Sequence, residues 1–198
     1  MLPDLRVVIG EDGKPGHEPG ERLWLEIGFG GGEHLAWQAE RHPEVTLIGA
    51  EVWLNGVASL LDLVERQGLA NVRIFDADVT ELIEALPPAC LERIFVLFPD
   101  PWPKARHRKR RFINETSMAR LSGLLVDGGE LRLATDIEDY ALDMERALEG
   151  GSDLQWSHHR ASDWPATRYE AKARAAGREP VFFSAVRRHR SITAPGSL

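Results

Sequence analysis

The chain has 198 residues, 24 of them Lys or Arg and 31 Asp or Glu, for a formal charge of −7. Its 43% apolar content suits a buried core and excludes an intrinsically disordered chain, and the length fits one domain. No apolar run approaches the ~20 residues of a membrane span, no signal-peptide pattern opens the chain, and the single cysteine, Cys90, excludes a disulfide framework and a multi-thiolate metal site; a cytoplasmic globular protein without membrane or metal is expected.

Residues 1–22 are rich in Gly, Pro and charge and read as an irregular segment. One domain is expected over 23–198. Its first strand is Leu23–Ile27, followed by a helix over Glu33–Arg41 that must stop before Pro43. A strand over Val45–Val52 precedes a helix over Leu54–Gln67. That helix has Leu54, Val57, Ala58, Leu61 and Val64 at helical spacing and Gly68 past its end. Val72–Phe75 is a third strand, and Thr80–Leu86 a short helix closed by Pro87 and Pro88. Arg93–Phe98 is a fourth strand, Phe112–Leu125 a helix, and Glu130–Ala134 a fifth strand entered through Gly128 and Gly129. A helix over Ile137–Leu148 and strands over Leu154–His158 and Val181–Val186 complete the pattern. Such alternation predicts an α/β fold, a mostly parallel seven-stranded sheet with helices on both faces. Ligands of such sheets bind beyond the carboxyl ends of the strands.

The residues at those ends are informative. Strand one runs into Glu26-Ile27-Gly28-Phe29-Gly30-Gly31-Gly32-Glu33, where glycines permit a tight turn and close approach of a ligand. Glu51 ends strand two, placed for the ribose hydroxyls of an adenosine, and Asp78 follows strand three, where an acid can take the adenine amino group. A dinucleotide fingerprint wants a third glycine at its sixth position, where this chain has Glu33. Carboxylates at Glu26 and Glu33 would repel a diphosphate and favour a sulfonium, so charge selects S-adenosylmethionine over a nicotinamide dinucleotide. The bland alternatives are a solvated strand-end acid at Glu51 and a helix cap at Asp78.

Strand four leads into Phe98-Pro99-Asp100-Pro101-Trp102-Pro103-Lys104. Prolines at alternate positions stiffen the turn and hold Asp100 and Trp102 at the sheet's edge. Asp100 is expected to be desolvated there, and suited to a nucleobase donor edge. Six cations then fall within residues 104–111, leaving 18 basic against 31 acidic residues elsewhere. A dense cationic patch on an acidic body suits local contact with an anion.

The turn and basic run together closely resemble the signature of bacterial tRNA (guanine-N7-)-methyltransferases. The resemblance extends to Ile48-Gly49-Ala50-Glu51, Ala134-Thr135-Asp136 and Thr167-Arg168-Tyr169-Glu170, and covers roughly residues 23–187. It implies a Rossmann-like class I S-adenosylmethionine-dependent methyltransferase that modifies guanine 46 of the tRNA variable loop. By position, Glu26, Gly28, Gly30, Glu51, Asp78 and Asp100 would bind S-adenosyl-L-methionine, with Asp100 also catalytic. Lys104, Asp136, Thr167, Arg168, Tyr169 and Glu170 would contact the substrate. Arg106, His107, Arg108, Lys109, Arg110 and Arg111 would meet RNA. A capping box is the bland reading of Thr167 and Glu170. Two other readings stay open: a nucleic-acid or amino-group methyltransferase of the same fold, and a non-catalytic RNA-binding module. Monomer and homodimer are not distinguished by the sequence.

Overall fold

The computed structural model describes residues 5–10, 20–150 and 153–190. The elements in chain order are β1 (Leu23–Ile27), α1 (Glu33–Arg41), β2 (Thr46–Ala50), α2 (Leu54–Gln67), β3 (Val72–Phe75), α3 (Val79–Ala85) and β4 (Leu91–Leu97). A 3-10 segment (Ala105–Arg110) follows, then α4 (Glu115–Leu124), β5 (Leu125–Thr135), α5 (Glu138–Gly150), β6 (Leu154–His158), α6 (Arg168–Ala175) and β7 (Val181–Arg187). The strands form one seven-stranded sheet in the order β3-β2-β1-β4-β5-β7-β6. β1 to β5 are parallel, and β7 runs antiparallel to β5 and to β6. The chain reverses its direction of travel across the sheet between β1 and β4, which opens a crevice at the carboxyl ends of those strands.

Period-two alternation splits the core into two layers. Leu23, Leu25 and Ile27 face a layer closed by Leu82, Met118, Leu121, Tyr140 and Met144 from α3, α4 and α5. Trp24 faces the other layer, closed by Leu35, Ala36, Leu60 and Val64 from α1 and α2 and by Trp164. Glu26 shares Trp24's side of β1 and so points toward α1.

Several boundaries differ from expectation for physical reasons. α4 starts at Glu115 because Asn114 caps it, its side chain accepting from the Ser117 backbone while the Ser117 hydroxyl accepts from the Asn114 backbone. β5 begins at Leu125 with no intervening loop, and Gly128 and Gly129 sit within it where the pairing with β4 shifts register. On α2 the inner face is Val57, Leu60, Leu61 and Val64. Leu54 and Ala58 are exposed instead, because they lie on the face of this helix turned away from both the core and the crevice. The 3-10 segment is an addition to the expected pattern, and α6 is the helix that the capping-box reading of Thr167 and Glu170 implies. Of residues 1–22, Leu5 and Val7 bond to Ile74 along the outer edge of β3.

Candidate active site

The crevice is a cavity of about 810 Å³, bounded by the ends of β1, β2, β3 and β4, within the size range of small-molecule sites. Gly28 and Gly30 line it with φ of 69° and 57°, backbone shapes that disfavour any side chain. Gly28 is tied to β2 by its N–H donating to the Ala50 carbonyl at 2.8 Å. Glu51 is buried and fixes the loop: its Oε2 accepts from the Gly30 N–H at 3.0 Å, and its Oε1 from the N–H groups of Val52 and Trp53 at 2.8 and 3.0 Å. One carboxylate thus binds the glycine loop to the start of α2. Asp78 also lines the cavity. It caps α3 by accepting from the Thr80 N–H at 2.9 Å, as the bland reading had it. Ile27, Val52, Ala77 and Val79 supply apolar wall beside these two acids. Carboxylates for hydroxyl and amino donors against an apolar wall for a purine fit the adenosine part of S-adenosylmethionine.

The loop chemistry also argues against a diphosphate. Glu33 occupies the first turn of α1, and its carboxylate oxygens lie 2.7 Å from where a Cβ on Gly31 would stand. An acid therefore already covers the loop and helix end that would otherwise receive an anion.

Glu26 does not line the cavity. It is buried, and its Oε2 meets Nδ1 of His34 at 2.7 Å. The strand's alternation turns this side chain under the glycine loop, where it joins β1 to α1. Its observed contact is to α1, from a position beneath the glycine loop.

Across the cavity stands the proline-rich turn. Phe98 and Trp102 both hold positive φ, 53° and 42°, conformations unfavourable for bulky side chains. Asp100 lies between them on the cavity wall and is exposed, which corrects the expectation of a desolvated acid. Trp102 lines the same wall, with the guanidinium of Arg110 4.8 Å from its ring centre. Tyr169 stacks on Phe98, ring centres 6.3 Å apart, and lies so close to Gly30 that a Cβ there would meet its ring at 2.9 Å. Arg168 lines the cavity too, 3.8 Å from Glu33. The start of α6 therefore closes over both the glycine loop and the turn.

Other expected substrate residues are engaged elsewhere. Asp136 pairs with Arg178 at 2.6 Å. Thr167 caps α6, accepting from the Glu170 N–H at 3.1 Å, as the bland reading had it. Glu170 is buried, its Oε1 held by Arg160 at 2.8 Å and Arg174 at 3.3 Å. None of these three lines the cavity. They belong to the packing that fixes α6 and the end of β5. Lys104 is exposed just outside the cavity, its carbonyl accepting from the His107 N–H.

The basic run divides as well. Arg106, Arg108, Lys109 and Arg110 are exposed and His107 half-buried on the 3-10 segment, with Arg108 paired to Asp139. Arg111 is buried and turned inward. Burial alone would lower its pKa, but hydrogen bonds and charge from Asp143 and Asp139 outweigh that and raise it. Sequence reasoning missed Trp53, Asn55, Gly56 and Ser59, which complete the cavity from α2. Gly56 carried a usable signal, a glycine in a helix's first turn. A Cβ there would lie 2.3 Å from the Gly30 carbonyl oxygen, so only glycine lets α2 approach the loop.

Comparison with known proteins agrees with this geometry. Residues 20–183 match a family described as "Putative methyltransferase". The chain is 46% identical over 187 residues to a tRNA (guanine-N(7)-)-methyltransferase of Rhodospirillum rubrum, covering 91% of this chain and 73% of that one. It is 50% identical over 175 residues to one of Paramagnetospirillum magneticum, covering 85% and 73%. An rRNA methylase from Streptococcus thermophilus shares the fold at a TM-score of 0.60 and 10% identity, over 85% of this chain and 88% of that one. With identity at this level spanning the glycine loop, the proline-rich turn and the basic run alike, the chain belongs to the tRNA (guanine-N(7)-)-methyltransferase family.

Proposed function

We propose that the chain transfers the methyl group of S-adenosyl-L-methionine to N7 of a guanine in tRNA, at variable-loop position 46, in the cytoplasm. One observation carries this reading: the adenosine-type cradle of Gly28, Gly30, Glu51 and Asp78 and the Asp100 turn line one cavity, with Arg110 of the basic segment on its rim.

Glu51 and Asp78 would hold the cofactor's ribose and adenine against Val52 and Val79. When bound, S-adenosylmethionine supplies an electrophilic methyl group on a sulfonium. Guanine N7 carries an available lone pair, so no residue is required to remove a proton from it. The protein's task is placement of N7 in line with the methyl group. Asp100, exposed on the cavity wall, would accept hydrogen bonds from the guanine N1 and N2 donors, and its charge would favour the purine as it becomes cationic. Tyr169 and Phe98 would wall the base, and Arg168 stands at the same edge. Exposed Arg106, Lys109 and Arg110 would meet phosphates and fix the RNA's register.

The test is incubation of an unmodified tRNA transcript with methyl-labelled cofactor, followed by mapping of the label. Label on one variable-loop guanine as 7-methylguanine supports the reading. Label on an exocyclic amine contradicts the N7 assignment, and binding of tRNA without label transfer contradicts catalysis.

A further inference from the structure

We propose that Arg111 is a positioning residue that holds the Asp100 turn in its working shape, and not a contact to RNA. Resting on the proposed methyl transfer, this gives the last cation of the basic run a role different from that of its neighbours. Its side chain is 2% exposed, against 46% for Arg108. The guanidinium donates from Nε to the Pro101 carbonyl at 2.8 Å, inside the turn. From its other nitrogens it donates to the Asp139 carbonyl at 3.2 Å, to Asp139 Oδ1 at 2.9 Å and to Asp143 Oδ2 at 2.5 Å, all on α5. Its plane lies 4.7 Å from the ring centre of Tyr140, itself fully buried and bonded through its hydroxyl to the Ile113 N–H.

Four of the five N–H donors of this planar fork are committed to protein. Pro101 sits between Asp100 and Trp102, and the turn carries unfavourable backbone angles at Phe98 and Trp102. Strained shapes of this kind persist only where surrounding contacts over-determine them. The prolines restrict three positions, but nothing in them ties the turn to the rest of the fold. Arg111 does so, linking Pro101 to α5, which packs on the far layer of the sheet. A lysine offers a point charge and not a fork, so it cannot make these contacts together, although its charge would still meet a phosphate.

The experiment compares the wild-type chain with Arg111→Lys, Asp143→Asn and Lys109→Ala. Three quantities are read: hydrogen exchange of the Phe98 and His107 N–H groups, which bond to the Ala134 and Lys104 carbonyls at the two ends of the turn, the salt dependence of tRNA binding, and kcat against KM for tRNA. For Arg111→Lys the expected result is exchange faster by about tenfold at those groups, kcat lower by about tenfold or more, and an unchanged salt slope. Lys109→Ala should show the reverse, a shallower salt slope with exchange unaltered. Asp143→Asn keeps the arginine and should still loosen the turn and lower kcat. An RNA-contact role instead expects that removing this acid tightens tRNA binding and leaves exchange alone. Unchanged exchange in Arg111→Lys with kcat intact, or tighter tRNA binding with unaltered exchange in Asp143→Asn, would overturn the inference. If Arg111→Lys does not fold, Asp143→Asn decides by the same readouts. A wild-type chain that transfers no methyl to tRNA would sink the proposed activity, while the exchange comparison would still decide the role of Arg111.

Discussion

Asp100 and Glu26 are both acids at the cofactor end of the sheet, yet their surroundings give them opposite consequences when removed. Asp100 is exposed on the cavity wall. Asp100→Ala should therefore leave the melting temperature within about 2 °C, the usual range of a surface change, and lower methyl transfer by about 10²-fold or more. Near-normal turnover in a single-turnover assay would remove Asp100 from the mechanism. Glu26 is buried against His34. Glu26→Ala leaves the buried Nδ1 of His34 without its partner, while Nε2 keeps Gln38, at a cost of about 1–3 kcal/mol. Calorimetry should show a lower melting temperature together with weaker cofactor binding. A stable variant with only weaker binding would return Glu26 to the cofactor surface. The sequence made both residues conspicuous but could not separate their roles. Position in the strand predicts which face a side chain takes, whereas the partner on α1 becomes visible only once that helix is docked.

At the scale of elements, the glycine loop, the proline-rich turn and the basic run were each legible, because their residue types restrict the backbone locally. α2 and α6 were legible only in part. The first turn of α2 breaks the apolar face expected for it, since Leu54 is exposed, away from both the core and the cavity. α6 shows only its capping box in the sequence, because its buried members include Glu170, an acid held by Arg160 and Arg174 and not by an apolar stripe. The close approach of α2 gives a direct test. Gly56→Ala inserts a methyl 2.3 Å from the Gly30 carbonyl and must shift the loop or the helix. Its affinity for S-adenosylmethionine, read by isothermal titration, should fall by about tenfold or more, and wild-type affinity would show that the loop yields freely. For the basic segment, Arg106→Ala combined with Lys109→Ala should weaken tRNA binding and flatten its salt dependence by about one unit for each phosphate that is no longer neutralised. An unchanged slope would make the exposed cations bystanders.

Over the whole molecule, acidic residues outnumber basic ones, while the dense cationic run of residues 104–111 borders the cavity through Arg110. A polyanion approaching this chain is repelled over most of the surface and drawn to one edge, the edge that holds the Asp100 turn. The same acids shape stability. Burial acts to raise the pKa of Asp163, but Arg132 and Arg93 outweigh it and hold the group below its ordinary value. Asp139 is lowered in the same way, burial being outweighed by Arg111 and Arg108. Groups depressed in the folded state stabilise it above the ordinary aspartate value near 3.9, and that contribution is lost as the pH falls through the folded-state values. Urea titrations from pH 7 to pH 3 should show stability falling on the acid side, less steeply in Asp163→Asn. Equal steepness in both proteins would remove Asp163 from the acid transition.

The most direct measurement of the central claim uses two tRNA transcripts that differ at one atom: one with guanosine at variable-loop position 46, the other with 7-deazaguanosine there. The deaza base keeps the N1 and N2 donors proposed to meet Asp100, so it should still bind, but it has no nitrogen at position 7 to receive a methyl group. Transfer of label to the first transcript and none to the second is the predicted result. Equal labelling of both would show that the methyl group goes to another atom.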